Sequence, residues 1–167
     1  MQYSVGDKVV HPSFGPGRIA GVERQELVDG PRSYYVINIV EKRLIVHVPV
    51  LRADEAGLRP AMALSALPQV LTTLRRRPRQ LSDDFRKRRE QIGAEMKTGL
   101  LLQLAGVVRD LTWRGTQAHL TRYDSESLKQ GQALLAAEMA LASGGKVSDS
   151  SKLIEATMTA AVASLSN

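Results

Sequence analysis

The sequence contains no cysteine, which excludes disulfide bonds and metal sites built on thiolates. Its most apolar run, Leu100 to Val108, is interrupted by Gln103 and is far too short to cross a bilayer. The first residues do not form a basic region followed by an apolar one, as a secretory signal peptide would. We therefore expect a soluble, cytoplasmic protein that does not enter a membrane.

The residue patterns that most enzymes use are also missing. The three histidines lie in unrelated segments, without the spacing of a metal site. No Gly-x-Ser-x-Gly motif is present. Gly144-Gly145-Lys146 fails as a phosphate-binding loop, because Ala140 and Val147 stand where a glycine and a hydroxyl residue are needed. We predict neither catalysis nor a bound metal, cofactor or small-molecule substrate.

Positive charge is concentrated in one part of the chain. Residues 75–90 hold eight Lys and Arg against three Asp and Glu, which is most of the net charge of +6. Residues 1–74 and 91–167 are close to neutral. A basic stretch on a nearly neutral body is typical of binding to a polyanion.

The first 50 residues have the pattern of β-strands. Asp29-Gly30 is a strong hairpin signal, and Val46 and Val48 alternate with Ile45 and His47. The predicted strands cover residues 7–11, 18–28, 32–40 and 43–50, with a glycine-rich turn over residues 12–17. Four or five short strands with tight turns predict a small, strongly bent sheet or an SH3/Tudor-like barrel.

After Gly57 the spacing of apolar residues becomes helical. Serine and aspartate favour helix starts, whereas glycine favours helix ends. The predicted helices begin at Ser65, at Ser82, after Gly99, at Asp124 and at Ser148, with stops before Pro78, at Gly99 and at Gly144-Gly145. The predicted fold class is α+β, with a Tudor/SH3-like β domain over residues 1–56 and an all-α domain of about five helices over residues 57–167.

Two basic clusters lie on either side of Pro78. Arg75, Arg76, Arg77 and Arg79 end one predicted helix, where cations complement the helix dipole and need no further explanation. Arg86, Lys87, Arg88 and Arg89 begin the next helix, where cations oppose the dipole. Four consecutive positions also cover about 300° of a helix surface. We therefore expect the second cluster to project from the body and to bind phosphates.

Phe85 adjoins the second basic cluster and allows two interpretations. Its spacing to Ile92 and Met96 predicts a core residue, which the pattern alone favours. The alternative is an apolar wedge in the DNA minor groove, with neighbouring cations on the phosphates. Trp113 has fewer basic neighbours, and we expect it to pack in the helical core.

A family resemblance runs through nearly the whole chain. It is carried by Val5-Gly6-Asp7-Lys8-Val9-Val10-His11-Pro12, Gly15, Gly17, Tyr34-Tyr35-Val36, Val46-His47-Val48-Pro49, Gly57-Leu58-Arg59, Gly99 and Val107-Val108-Arg109-Asp110-Leu111. These residues resemble the CarD/CdnL family of bacterial transcription regulators. The N-terminal module of that family also occurs as the polymerase-interacting domain of the transcription-repair coupling factor.

The resemblance implies a DNA-binding function for the helical domain. In that family, this domain contacts double-stranded promoter DNA at the upstream edge of the transcription bubble. A tryptophan wedges into the minor groove there and helps to keep the promoter open; Phe85 occupies its place here. The implied DNA-binding residues are Phe85, Arg86, Lys87, Arg88, Arg89, Arg79 and Arg122.

The resemblance also implies that the β domain binds the RNA polymerase β subunit. Family arginines on the second and fourth strands correspond to Gln25 and His47, with Arg24 and Arg43 close by, and Leu27 matches an aliphatic contact position. Two functions remain open. The protein stabilises the open promoter complex, or it is an interaction adaptor on the transcription machinery without a functional DNA wedge.

Overall fold

The structure is a computed structural model that describes residues 2–167. It divides into two compact units, Met1–Ala61 and Met62–Asn167, which we call the β unit and the helical unit. The β unit continues past residue 56, the domain boundary predicted from the sequence. The continuation follows from Arg59–Pro60, which pairs with the first strand.

The β unit is a five-stranded antiparallel sheet. Its strands are β1 (Lys8–His11), β2 (Gly15–Leu27), β3 (Gly30–Ile39), β4 (Ile45–Pro49) and β5 (Arg59–Pro60), in the order β4-β3-β2-β1-β5. A register shift between Ile19 and Gly21 marks a bulge in β2, where such irregularities bend a strand. The α+β class with a Tudor-like N-terminal unit, predicted from the sequence, is confirmed.

The core of the β unit forms on the inner face of this sheet. Ile19, Tyr35 and Ile37 are almost fully buried there. The backbone N–H of Tyr3 donates to the Tyr35 hydroxyl at 3.0 Å. Gly17 allows two strands to approach closely, because a Cβ at that position would lie only 2.5 Å from the carbonyl oxygen of Asn38. Because side chains alternate along each strand, Ile19, Tyr35 and Ile37 share the inner face of the sheet.

The helical unit contains five α-helices within the described residues. They are α1 (Leu67–Arg75), α2 (Phe85–Thr98), α3 (Leu101–Gln117), α4 (Arg122–Ser143) and α5 (Val147–Leu165). Over residues 2–167, none of the helices combines the length and the apolar character that a membrane span requires.

Two apolar clusters hold the helices together. The larger cluster joins α1, α3, α4 and α5 and includes Val70, Val108, Leu135 and Ile154, all nearly inaccessible to solvent. The smaller cluster packs α2 against α3 and consists of Leu81, Ile92, Val107 and Leu111, with Met96, Tyr123 and Leu128 partly buried beside it. Helix α2 is therefore anchored by Ile92, one turn after Arg88.

The helix starts differ in detail from those predicted. Asp84 rather than Ser82 caps α2, accepting hydrogen bonds from the backbone N–H groups of Arg86 and Lys87. Thr121 caps α4, so Asp124 lies in the first turn instead of at the cap. Each true cap lies within three residues of the predicted one, because several neighbouring polar side chains can perform the same function.

The helix ends follow the prediction more closely. Gly99 ends α2 with φ 62° and Gly144 ends α4 with φ 73°, the left-handed conformation that glycine adopts without steric cost. Helix α1 ends at Arg75, before Pro78, as predicted. Helices α1 and α5 begin without a side-chain cap, so Ser65 and Ser148 do not have the capping role predicted for them.

Candidate nucleic-acid interface

The basic stretch over residues 75–90 crosses the connection between α1 and the first turn of α2. Seven of its eight basic residues are exposed, and Arg88 alone is buried. Arg75 is the last residue of α1, and Arg76 and Arg77 follow it. None of these three arginines has an ion pair with any residue in the described part of the chain. The charge that the sequence concentrates here is therefore mostly accessible to a polyanion.

Arg88 differs from its neighbours because it faces α4. Only 2% of its surface is exposed, and its Nε lies 3.0 Å from Oδ2 of the equally buried Asp124. Its Nη1 donates to the carbonyl oxygens of Ser82 at 2.8 Å and Asp83 at 3.3 Å. This placement corrects the prediction that Arg88 binds phosphate, because its guanidinium is enclosed and already bound to protein acceptors.

Arg79 is also occupied by protein partners. Its Nε lies 2.7 Å from Oδ2 of buried Asp110, and its two terminal nitrogens bind both oxygens of Glu95, at 2.8 and 3.0 Å. The Glu95 hydrogen bond raises the pKa of Arg79 further above its ordinary value, against the effect of partial burial. Two carboxylates therefore offset its charge, and its side chain ties the connecting segment to α2 and α3. Its role in DNA binding stays a prediction.

Phe85 is the first residue of α2 and projects into solvent. Its side chain is 57% exposed, and the guanidinium carbon of Arg86 lies 5.8 Å from the centre of its ring. The interpretation of Phe85 as a core residue is therefore wrong. Phe85 lies within about 20° of Ile92 around the helix axis. It is the first residue of α2, two turns before Ile92, and the buried side chains of α2 begin only at Arg88. Trp113 is partly buried near the end of α3.

The first turns of α2 and α4 lie against each other. Besides the Arg88–Asp124 pair, the guanidinium of Arg89 stacks over the Tyr123 ring, 4.7 Å from its centre. Helix N-termini carry partial positive charge, so two of them side by side favour an anion. Sequence reasoning missed this pairing, since α2 and α4 are separated by the whole of α3.

The exposed cations at these two turns form what we call the basic tip, made of Arg86, Lys87, Arg89 and Arg122. Arg86 and Lys87 have no acidic partner among residues 2–167. The Arg122 side chain is 92% exposed and pairs with Glu126 at 2.8 Å, which raises its pKa. An exposed pair of this kind is weak, so Arg122 can exchange Glu126 for a phosphate.

The residues predicted to bind polymerase lie in and beside the sheet of the β unit. Gln25 and Leu27 are two positions apart on β2 and share one face of the sheet, as does His47 on β4. The Nε2 of His47 lies 3.2 Å from Oε2 of Glu23. We call this side of the sheet the outer face. Arg24 points to the opposite side of β2.

Strand β4 supplies a second feature of this region. It lies at one end of the strand order and, over residues 2–167, pairs with β3 alone. Arg43 is exposed in the turn that precedes it. An open strand edge of this kind can accept a strand from another protein.

Both units match models of known families. Residues 3–62 match the family described as CarD-like/TRCF RID domain, and residues 69–155 match the family described as CarD, C-terminal domain. The Bacillus subtilis (strain 168) protein named "Putative transcription factor YdeB" is 24% identical over 142 residues, which cover 85% of this chain and 93% of that protein.

Proposed function

We propose a function for this chain on the basis that it belongs to the CarD family and is thus a transcription-associated regulator. It binds RNA polymerase through its β unit and promoter DNA through its helical unit. Binding to both stabilises the open promoter complex. The observation that carries this proposal is the exposed ring of Phe85, set among the accessible cations of the basic tip.

The chemistry of the basic tip suits the minor groove of DNA. Arg86, Lys87 and Arg89 can neutralise phosphates on the two sides of the groove, which holds the first turn of α2 against the duplex. Phe85 can then enter between base pairs. Unstacking a base step costs a few kcal/mol, and an inserted apolar side chain recovers part of that cost by leaving water.

The wedge acts on the equilibrium between closed and open promoter. In the closed complex the base pairs of the duplex are stacked, so insertion of Phe85 includes the full free-energy cost of unstacking them. At the edge of an open bubble, the base step is already partly unstacked. Phe85 therefore binds more tightly to the open state and lowers its free energy relative to the closed state.

The β unit supplies the second contact. The outer face carries Gln25, Leu27 and His47, and the open edge of β4 can extend a sheet of the polymerase β subunit. Once this contact forms, the helical unit is held close to the promoter. The high local concentration allows a few sequence-independent phosphate contacts to suffice.

The substitution Phe85→Ala tests the wedge. We expect it to shorten the lifetime of open complexes formed by polymerase with this protein, while recruitment to polymerase stays unchanged. The lifetime is measured by adding a competitor after the open complex has formed. Leu153→Ala, which removes an exposed apolar side chain from α5, is the matched control. An open-complex lifetime that is the same with Phe85→Ala as with the wild type would exclude the wedge and leave the adaptor function.

A further inference from the structure

A buried ion pair joins α2 to α4 directly behind the basic tip. The Arg88 and Asp124 side chains are only 3% and 2% exposed, and their charged groups are 3.0 Å apart. Neither side chain can reach DNA, so the proposed DNA contacts do not explain why two charges are buried here.

The Arg88 guanidinium also binds the chain that leads into α2. Its Nη1 donates to the carbonyl oxygens of Ser82 and Asp83, at 2.8 and 3.3 Å. These two residues immediately precede the cap Asp84 and the exposed Phe85. One planar side chain therefore connects α4 with the segment from which Phe85 projects.

The energetic balance indicates what such a pair contributes. Removing two charges from water costs several kcal/mol per ion, and apolar residues of similar volume often give equal or greater stability. What an apolar pair lacks is direction, because it cannot bind carbonyl oxygens at defined angles. The planar fork of arginine does so at several points at once.

We propose that Arg88 and Asp124 are a positioning pair, which holds the first turn of α2 so that Phe85 is presented in one orientation. For its effect on DNA this inference rests on the proposed function. Its effect on the first turn of α2 is independent of DNA. The pair reduces the number of conformations from which Phe85 must be ordered when it inserts.

The double substitution Arg88→Met/Asp124→Leu tests the pair in the full chain. Methionine is close to arginine in volume, and leucine has the branching of aspartate with methyl groups in place of its oxygens. The carbonyls of Ser82 and Asp83 can turn to water because neither residue is buried. We expect the melting temperature to stay near that of the wild type. The rate of hydrogen exchange at the backbone amides of positions 86, 87 and 88 should rise on the order of tenfold, while the amides of the last turn of α2 stay protected.

A second readout is the lifetime of the open complex. We expect the double substitution to shorten it to the value found with Phe85→Ala, and adding Phe85→Ala to give no further loss. Val70→Ala, which lowers stability through the larger helical core, is the control. Below its melting temperature, it should keep the wild-type lifetime, which separates positioning from general stability.

The outcomes separate the two proposals. If Phe85→Ala leaves the open-complex lifetime unchanged, the wedge is excluded. Hydrogen exchange in the double variant then still tests whether Arg88 and Asp124 hold the first turn of α2. Wild-type exchange and wild-type lifetime in a folded double variant would overturn the positioning pair alone. If the double variant does not fold, Arg88→Lys is used instead, because an ammonium keeps the charge but cannot bind the same acceptors in a plane. The same two results are expected from it, and wild-type behaviour in both would again overturn the pair.

Discussion

Neighbouring arginines of identical charge have different roles in this protein. Arg88 and Arg89 are adjacent, yet one is enclosed behind Asp124 and the other is exposed, with its guanidinium over Tyr123. The difference comes from rotation of about 100° between successive helical residues. Arg88 falls on the same face as Ile92, which packs in the core. The basic stretch is thus a mixture of structural cations and cations accessible to a ligand.

The accessible cations predict a defined salt dependence. Each phosphate neutralised on duplex DNA contributes about −0.9 to the slope of log affinity against log salt concentration. We expect Arg86→Gln/Lys87→Gln to make this slope less steep by about 2 if each side chain contacts one phosphate. The measurement is a salt titration of duplex binding by fluorescence anisotropy.

A control for this titration comes from exposed lysines outside the basic tip. Lys146→Gln/Lys152→Gln removes the same charge from the region of α5 and should leave the slope unchanged. Equal changes in the two double variants would contradict local phosphate binding and indicate only an effect of net charge.

At the level of the element, the proposed function gives the first turn of α2 two roles. Its N-terminus must be capped, and in that proposal it must also carry cations toward DNA. Asp84 meets the first need with hydrogen bonds of 2.9 and 3.3 Å to the N–H groups of Arg86 and Lys87. Its carboxylate also lies beside the basic tip and opposes an approaching phosphate.

Substitutions of Asp84 separate these two effects. Asp84→Ala should lower the free energy of unfolding by about 1 kcal/mol, the usual value of an N-cap. Asp84→Asn keeps an acceptor oxygen without the charge and should stay close to the wild type. Both substitutions should raise the affinity for duplex DNA at low salt. Stability is measured by denaturant unfolding; equal stability of the alanine and wild-type proteins would show that the cap is not needed.

The elements themselves were largely predictable, and their ends only in part. Gly99 and Gly144 end helices as predicted, because the left-handed conformation is a property of one residue. The sequence predicts the start of α2 at Ser82, whereas Asp84 caps it, since both residues can cap a helix. The choice between them depends on where α2 packs, and Ile92 fixes that through contacts with α3.

At the scale of the whole molecule, the two proposed contacts fall on two units with separate cores. The β unit has its own apolar core, which the sheet forms together with Ala53 and Leu58 from the segment after β4. The helical unit has two apolar clusters of its own. A substitution on the surface of one unit should therefore leave the fold of the other unchanged. This separation allows polymerase binding and DNA binding to be tested independently.

Leu27→Asp tests the role of the outer face. Leu27 is 40% exposed at the end of β2, so the substitution should not unfold the sheet. We expect a loss of polymerase binding and of the open-complex effect, with unchanged affinity for duplex DNA. Pull-down of polymerase and anisotropy with DNA measure the two. Val22→Asp, on the same strand but the opposite side, is the control and should retain polymerase binding.

Local sequence was enough to establish the first four strands and the five helices along the chain, the glycine stops and the concentration of charge over residues 75–90. Each depends on the conformational preference or the charge of residues close together in the chain. Tertiary packing alone determined which cations stay accessible and that Phe85 is exposed. The partner of Arg88 is 36 residues away on α4. No local pattern specifies such a pairing, because it arises only when two helices pack and one buried charge requires another.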